Sequence, residues 1–336
     1  MFLIMTQFLI LISFILISTL SLSAESQAQI NVNGINITGM ERVWEQPDFR
    51  SKEIISQIKC AQAAGFGSIR LPIDVEFLLE SDRRFLRELQ KTVNYAKNQE
   101  IVLILAYFGH ELTDQNAVQK SEMIGKNWQT ILKRLKGENS NLFVELANEP
   151  QLSPQVWESI WPNMVAKIRE VDSEIMVIVG ATNFNSLFEL SRTSPLDLKN
   201  LIYTFHYYEP YIFTHQGTEW TGDQNATIGV PYPFQEERMP LLDPKARNTP
   251  GEINLRDYYQ TGNKVAIVDK IGQIAAWAAH YQVTLWCTEY GASSNADPMS
   301  RQAYLRDVGE VLKEFAIPGF VWEWEGNFGV SGLKLK

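Results

Sequence analysis

The sequence predicts one (β/α)8 barrel, a TIM barrel, with a long loop after its sixth strand and no eighth helix. Three observations predict it. Eight short apolar runs alternate with longer amphipathic stretches between Gly34 and Gly329, the alternation that a parallel sheet covered by crossover helices requires. Some of the runs, Ile101-Val102-Leu103-Ile104-Leu105 most plainly, are apolar without interruption, as strands buried on both faces must be. No linker, internal repeat or low-complexity segment divides the 336 residues, a length that one domain of this kind can hold.

In order, Ile35-Asn36-Ile37-Thr38 reads as the first strand. Ser51 caps a helix through Ala64, and Gly65 ends it because glycine tolerates the left-handed conformation there. Ser68 to Ile73 is the second strand, Phe85 to Asn98 a helix, Ile101 to Leu105 the third strand and Ser121 to Leu135 a helix. Leu142 to Leu146 is the fourth strand; a helix from Pro154 to Val171 follows, with proline in its first turn. Met176 to Val179 is the fifth strand, a short helix spans Asn185 to Leu190, and Leu201 to Phe205 is the sixth strand. From His206 to Gly262 no periodicity is sustained, which is too long for an ordinary connection. Lys264 to Tyr281 is a helix, Val283 to Thr288 the seventh strand, Ser300 to Phe315 a helix and Gly319 to Trp322 the eighth strand. Lys336 follows soon after, so either the barrel closes without an eighth helix or the chain is shortened.

Thirty basic residues stand against 39 acidic ones, a net charge of −9, and Lys and Arg are scattered. That excludes a nucleic-acid partner held by a basic patch. The four histidines and two cysteines lack the spacing of a zinc site, so no metal and no cofactor are predicted. Cys60 and Cys287 read as buried free thiols, with a disulfide as the alternative. Phe2 to Leu22 is almost wholly apolar, and Ser26-Gln27-Ala28 offers a cleavage site. Residues 1–28 therefore read as a signal peptide of an exported protein, secreted or periplasmic. Because no basic residue precedes Arg42, an uncleaved membrane anchor is the alternative. Residues 29–336 form the barrel domain.

Polar residues collect at the strand ends, which in a parallel barrel open on one face. Glu149, in Asn148-Glu149-Pro150, follows the fourth strand, and Glu289, in Thr288-Glu289-Tyr290-Gly291, follows the seventh. Paired carboxylates in this placement suit acid/base chemistry on a sugar, one protonated to donate and one ionised to attack or assist. The plainer alternatives are a helix cap for Glu149 and a surface ion pair for Glu289. Arg70 lies inside an apolar strand and needs a carboxylate partner. Glu289 is the one expected; a salt bridge on the barrel floor is the alternative. His206 and Tyr208 alternate at the end of the sixth strand and face one side. Trp322 and Trp324 repeat that spacing at the eighth strand, where an indole can floor a sugar ring, and core packing is expected for at least one of them. The aromatics between Tyr207 and Tyr259, including Tyr211, Phe213, Trp220, Tyr232 and Tyr258, suggest a wall or lid, some of them packing the loop onto the barrel.

These motifs, with Ile69-Arg70-Leu71-Pro72 and His206-Tyr207-Tyr208, resemble in content and order glycoside hydrolase family 5, the cellulase family of (β/α)8 barrels acting on β-linked glucans and mannans. The resemblance covers Gly34 to Gly329. It implies hydrolysis with retention by double displacement, Glu149 as acid/base and Glu289 as nucleophile. It further implies that Asn148 binds the substrate 2-hydroxyl, that Arg70 and Tyr208 hold the nucleophile, that His206 lies beside the acid/base, and that Trp322 floors the cleaved sugar's subsite. The expected partner is a β-linked polysaccharide or oligosaccharide. On this reading Glu149 carries a raised pKa and Glu289, beside Arg70, a lowered one. The family's histidine at the end of the third strand has no direct counterpart, since His110 is displaced from it. A mannanase, a xylanase, an exo-acting β-glycosidase and a non-catalytic carbohydrate-binding protein remain as alternatives.

Overall fold

A computed structural model describes residues 33–109, 112–135, 137 and 141–333. The N-terminal apolar run and His110 lie outside them. Eight parallel strands close in sequence order into a barrel: β1 (Asn33–Asn36), β2 (Ser68–Asp74), β3 (Val102–Phe108), β4 (Leu142–Glu145), β5 (Met176–Gly180), β6 (Leu201–Tyr207), β7 (Leu285–Tyr290) and β8 (Gly319–Val321). Closure comes from β1 pairing with β8, Gly34 opposite Phe320. A Cβ on Gly34 would sit 2.2 Å from the Phe320 ring, so the glycine makes room for that phenyl inside the barrel. No helix follows β8 among the described residues, and the strand pairing closes the ring without one.

The strands are buried on both faces, and the two faces do different work. Outward residues such as Ile69, Leu71, Leu103, Leu105, Val144, Val177 and Phe205 join one core with helix residues Ile58, Leu89, Val93, Trp128, Ile160 and Ile271. Inward residues of the opposite parity, Val102, Ile104, Ile178, Ile202, Trp286 and Phe320, form a separate core inside the barrel, with Phe143 and Met176 packed on it. Trp286 anchors it, its ring 5.8 Å from Phe320 and 5.2 Å from Phe143. Two residues further along the same inward rows, apolar gives way to polar: Phe143 to Glu145 and Ile202 to Thr204, beside Asn36 and Arg70, all four polar groups fully buried. The barrel thus has an apolar floor and a polar mouth.

Several local expectations change. Ser51 is not a cap; Arg50 precedes the helix Ser51–Ala63 without a side-chain bond, and the Ser51 hydroxyl donates to Glu88 instead. Gly65 does take positive φ, 103°, just past that helix. A further helix, Val75–Ser81, follows β2, capped by Asp74 accepting from the Phe77 N–H. The short helix after β5 becomes two pieces, Thr182–Asn185 and Leu187–Ser191, the first with positive φ inside it. Cys287 is buried but Cys60 is exposed, and both are free. No described helix is long and apolar enough to cross a membrane.

The segment after β6 is built of short turns and helices. Buried Phe213, Tyr232 and Tyr258 fasten it: Phe213 and Tyr232 pack on Tyr304 at 5.3 and 5.4 Å, and the Tyr232 hydroxyl donates to Asp307. Trp220, Tyr211 and Tyr259 remain exposed.

Trp286→Ala removes the keystone of the inner core. Such truncations cost about 3–5 kcal/mol, so a matching drop in unfolding free energy is expected in denaturant titration.

Candidate active site

The polar mouth is organised on Arg70. Its guanidinium has five N–H donors in a fixed plane, and all five are used. Nε and Nη2 donate to the two oxygens of Glu145, both at 2.7 Å; Nη1 donates to Asn36 Oδ1 at 2.8 Å and Glu289 Oε1 at 2.7 Å; Nη2 also donates to Asn148 Oδ1 at 2.8 Å. Arg70 and Glu145 are wholly buried. Burial opposes the guanidinium's charge, but Glu145 and Glu289 more than compensate and raise its pKa. Glu289 is thus a partner of Arg70, as expected, but shares it with Glu145.

Glu289 lies within β7 rather than beyond it and is 4% exposed. Its Oε1 takes the Arg70 bond; Oε2 accepts from the Tyr208 hydroxyl at 2.8 Å and lies 3.4 Å from His206 Nδ1. The expected lowering of its pKa is not found. Burial drives it upward, His206 and Arg70 pull it down, Glu149 pushes it up again, and the net direction is upward. The physical reason is that taking this carboxyl out of water penalises its charged form by more than the two neighbouring cationic groups return. Tyr208 stays a phenol, its pKa raised by burial and by the charges of Glu289 and Glu149.

Glu149 sits past the end of β4, its side chain 27% exposed. The chain continues to pair beyond the strand, Leu146 N–H donating to Ile178 and Asn148 N–H to Tyr107. Glu149 then adopts φ 45°, a left-handed conformation that is costly for a side chain of this kind and clusters at functional sites. It caps no helix; Ser153 precedes Pro154–Arg169. Instead its Oε1 lies 2.7 Å from His206 Nδ1. For His206, burial works against the charged ring, while Glu289 and Glu149 outweigh that and raise its pKa.

Trp322, half-buried, stacks on Phe108 with ring centres 6.4 Å apart and 13° between planes. Trp324 is core, edge-on to Phe66. The neighbouring Glu323 steadies this corner by accepting from Thr38, Arg42 and the Phe328 N–H. A groove of about 330 Å³ runs past Asn148 and Glu149, lined by Glu76, Tyr107, Leu112, Thr113 and Gln151. A larger one, about 710 Å³, lies among Phe234, Met239, Ile253 and Tyr259 and contains none of these carboxylates.

The structure therefore brings together Arg70, Asn148, Glu149, His206, Tyr208 and Glu289, with Trp322 at the same mouth. Oxygen and nitrogen atoms of Glu149, His206 and Glu289 lie within 4.8 Å of one another. That spacing would admit a cation, but Arg70 already supplies one to Glu289, and His206 Nδ1 is engaged by Glu149. Sequence reasoning missed Glu145 and Asn36. Glu145 carries the signal that exposed Arg70, a charge inside an apolar strand, and pairing the two was open from sequence.

Glu145→Gln leaves the Arg70 charge buried with half its compensation. Loss of one partner of a buried pair costs about 3–5 kcal/mol, so a lower melting temperature is expected. With the negative charge of Glu145 gone, less repulsion acts on ionised Glu289, and the Glu289 carboxyl titration, followed by carbon NMR, moves to lower pH. An unchanged titration would show that the Glu145 charge does not act on Glu289.

Known proteins resemble this chain over most of its length. Endoglucanase 3 of Fibrobacter succinogenes is 28% identical over 333 residues, covering 88% of this chain and 50% of that protein, so the chain spans half its length. Endoglucanase C of Acetivibrio thermocellus is 25% identical over 315 residues, covering 87% and 90%. The solved endoglucanase of Thermotoga maritima shares the fold at a TM-score of 0.72 and 23% identity, over 89% of this chain and 91% of that one. Residues 26–328 match the family described as cellulase, glycosyl hydrolase family 5, and the chain belongs to that family.

Proposed function

We propose that this protein is an endoglucanase that cleaves β-linked glucan with retention of configuration, Glu289 acting as nucleophile and Glu149 as acid/base. The observation that carries the reading is the asymmetry of two carboxylates whose nearest atoms lie within 4.8 Å. Glu289 is buried between Arg70 and Tyr208, while Glu149 is half-buried beside His206 and the groove. Retaining enzymes keep their carboxyl groups about 5–5.5 Å apart, whereas inversion needs about 6.5–9.5 Å to admit a water.

In the first step a Glu289 oxygen attacks the anomeric carbon as the glycosidic C–O bond breaks, and Glu149 gives its proton to the departing oxygen. In the second, Glu149, now ionised, takes a proton from water, whose oxygen displaces Glu289 from the sugar and regenerates both groups. Tyr208 and Arg70 each donate to a Glu289 oxygen, fixing the carboxylate's plane. Asn148 accepts from Arg70 through Oδ1, which leaves its Nδ2 to donate to a ring hydroxyl. Trp322 offers an indole face to the apolar C–H face of a sugar. Endo action is favoured by an open groove and by relatives that are named endoglucanases. Residues 29–336 are assigned to the catalytic domain and residues 1–28 to export.

Incubation with β-glucan, mannan and xylan, followed by product sizing, tests substrate and mode. Long intermediate products from β-glucan are expected; release of short sugars alone would sink endo action. Proton NMR of the first product should show the β-anomer, and an α-anomer would exclude retention. Glu149→Ala is expected to lose roughly 10²–10⁴-fold in kcat/KM on substrates with a poor leaving group, and Glu289→Ala more. A binding protein without catalysis would show no hydrolysis even as wild type.

A further inference from the structure

His206 is held from both sides. Nδ1 faces Glu149 Oε1 at 2.7 Å and, at 3.4 Å, Glu289. Nε2 faces Asn185 Nδ2 at 3.1 Å and Thr288 Oγ1 at 3.2 Å. An amide nitrogen can only donate, so with Nδ2 toward the ring Nε2 offers it a lone pair, and a neutral ring then carries its proton on Nδ1, directed at Glu149.

We propose that Asn185 is a positioning residue that locks His206 in its neutral Nδ1–H tautomer, so that Glu149 rather than His206 retains the proton delivered to the leaving group. This rests on the reading of Glu149 as acid/base.

The surroundings explain why a lock is needed. Glu149 and Glu289 both favour a protonated ring, Arg70 and burial oppose it, and Tyr208 answers Glu289 with a neutral hydroxyl. An imidazolium at 2.7 Å would hold Glu149 ionised and unable to act as an acid. The threonines cannot decide the matter. Thr288 Oγ1 lies 2.8 Å from Thr204 Oγ1, and either hydroxyl can donate, so that pair can run toward Nε2 or away from it. The Asn185 amide, with Nδ2 toward the ring and Oδ1 over Gly180, is the group that brings a donor to Nε2.

The fold also keeps this residue in place at some cost. Asn183, Phe184 and Asn185 all take positive φ, 55°, 62° and 51°, and Phe184 is 59% exposed, so its own packing does not explain the turn. Asn185 is wholly buried, and its Oδ1 has no hydrogen-bond partner while its Nδ2 faces the histidine. Gly180 makes room, since a Cβ there would lie 2.1 Å from Asn185 Oδ1. On the other side, the strand register shifts between Phe205 and His206, leaving Thr288 unpaired opposite β6. Such a bulge re-aims side chains, and here Thr288 and Glu289 both reach His206.

Nitrogen NMR of the His206 ring tests the proposal in the unaltered protein. At the pH of maximal activity a protonated Nδ1 and a pyridine-like Nε2 are expected; a protonated Nε2 overturns it without any variant. Asn185→Asp exchanges the donor for an acceptor at constant shape. Both ring nitrogens should then be protonated, and the alkaline limb of kcat/KM should move to lower pH, with about tenfold lost where wild type is still active. A purely packing role would leave both readouts unchanged. If Glu149→Gln abolishes activity while Asn185→Asp keeps the wild-type spectrum and pH profile, the tautomer proposal fails and the acid/base reading stands. If Glu149→Gln remains fully active, the acid/base reading fails instead, whatever the ring spectrum shows.

Discussion

One guanidinium in the mouth of the barrel fixes the positions of the groups around it. Arg70 reaches four residues from β1, β4, the turn after β4, and β7, so three strands and a loop are tied to one rigid plane. A buried ion pair is weak evidence for stability, because desolvation offsets its attraction. Its value here is geometric. A lysine has the charge but not the planar fork, and could not hold Glu145 by two parallel bonds while directing a third to Glu289.

The cost of that plane appears in Glu289. A nucleophile needs to be ionised, and the sequence suggested that Arg70 would see to it. The structure places the carboxyl in so dry a setting that burial, with the charge of Glu149, outweighs the pull of His206 and Arg70. A carboxylate held in this way is poorly solvated and hydrogen-bonded along fixed lines, and it has little reorganisation to undergo when it reacts. The Tyr208 hydroxyl and the Arg70 Nη1 each donate to one of its oxygens.

The barrel was legible because both of its cores leave marks in the sequence. Residues of one parity on β3, Leu103 and Leu105, meet the helices, and those of the other, Val102 and Ile104, meet the barrel interior, so the run reads as apolar throughout. Strand ends were less legible. β7 begins and ends later than expected, because Tyr290 pairs with Val321 and draws Glu289 into the ladder, a tertiary event without local signature. The site was legible where a polar residue interrupts an apolar run, as Arg70 does, or stands in a motif, as Glu149 does. Asn185 has neither mark. It lies in what reads as an ordinary short helix, and its importance arises from a left-handed turn and from Gly180, 26 residues before His206 in the chain yet beside the turn in space.

What separates the two glutamates is how each is supported rather than what each is. Glu289 rests on strand β7, whose backbone is paired on both sides, and its carboxyl accepts from a phenol and a guanidinium, with the His206 ring 3.4 Å away. Glu149 rests on a strained turn, half open to the groove, and its carboxyl meets an imidazole whose protonation can change. A nucleophile must hold still and stay ionised, which fixed donors favour. An acid/base must lose a proton and regain one in each turnover, which needs water nearby and a neighbour that does not take the proton for itself. On the proposed reading, the same side chain at two places in one barrel mouth is given two chemistries, by burial and by the backbone beneath it.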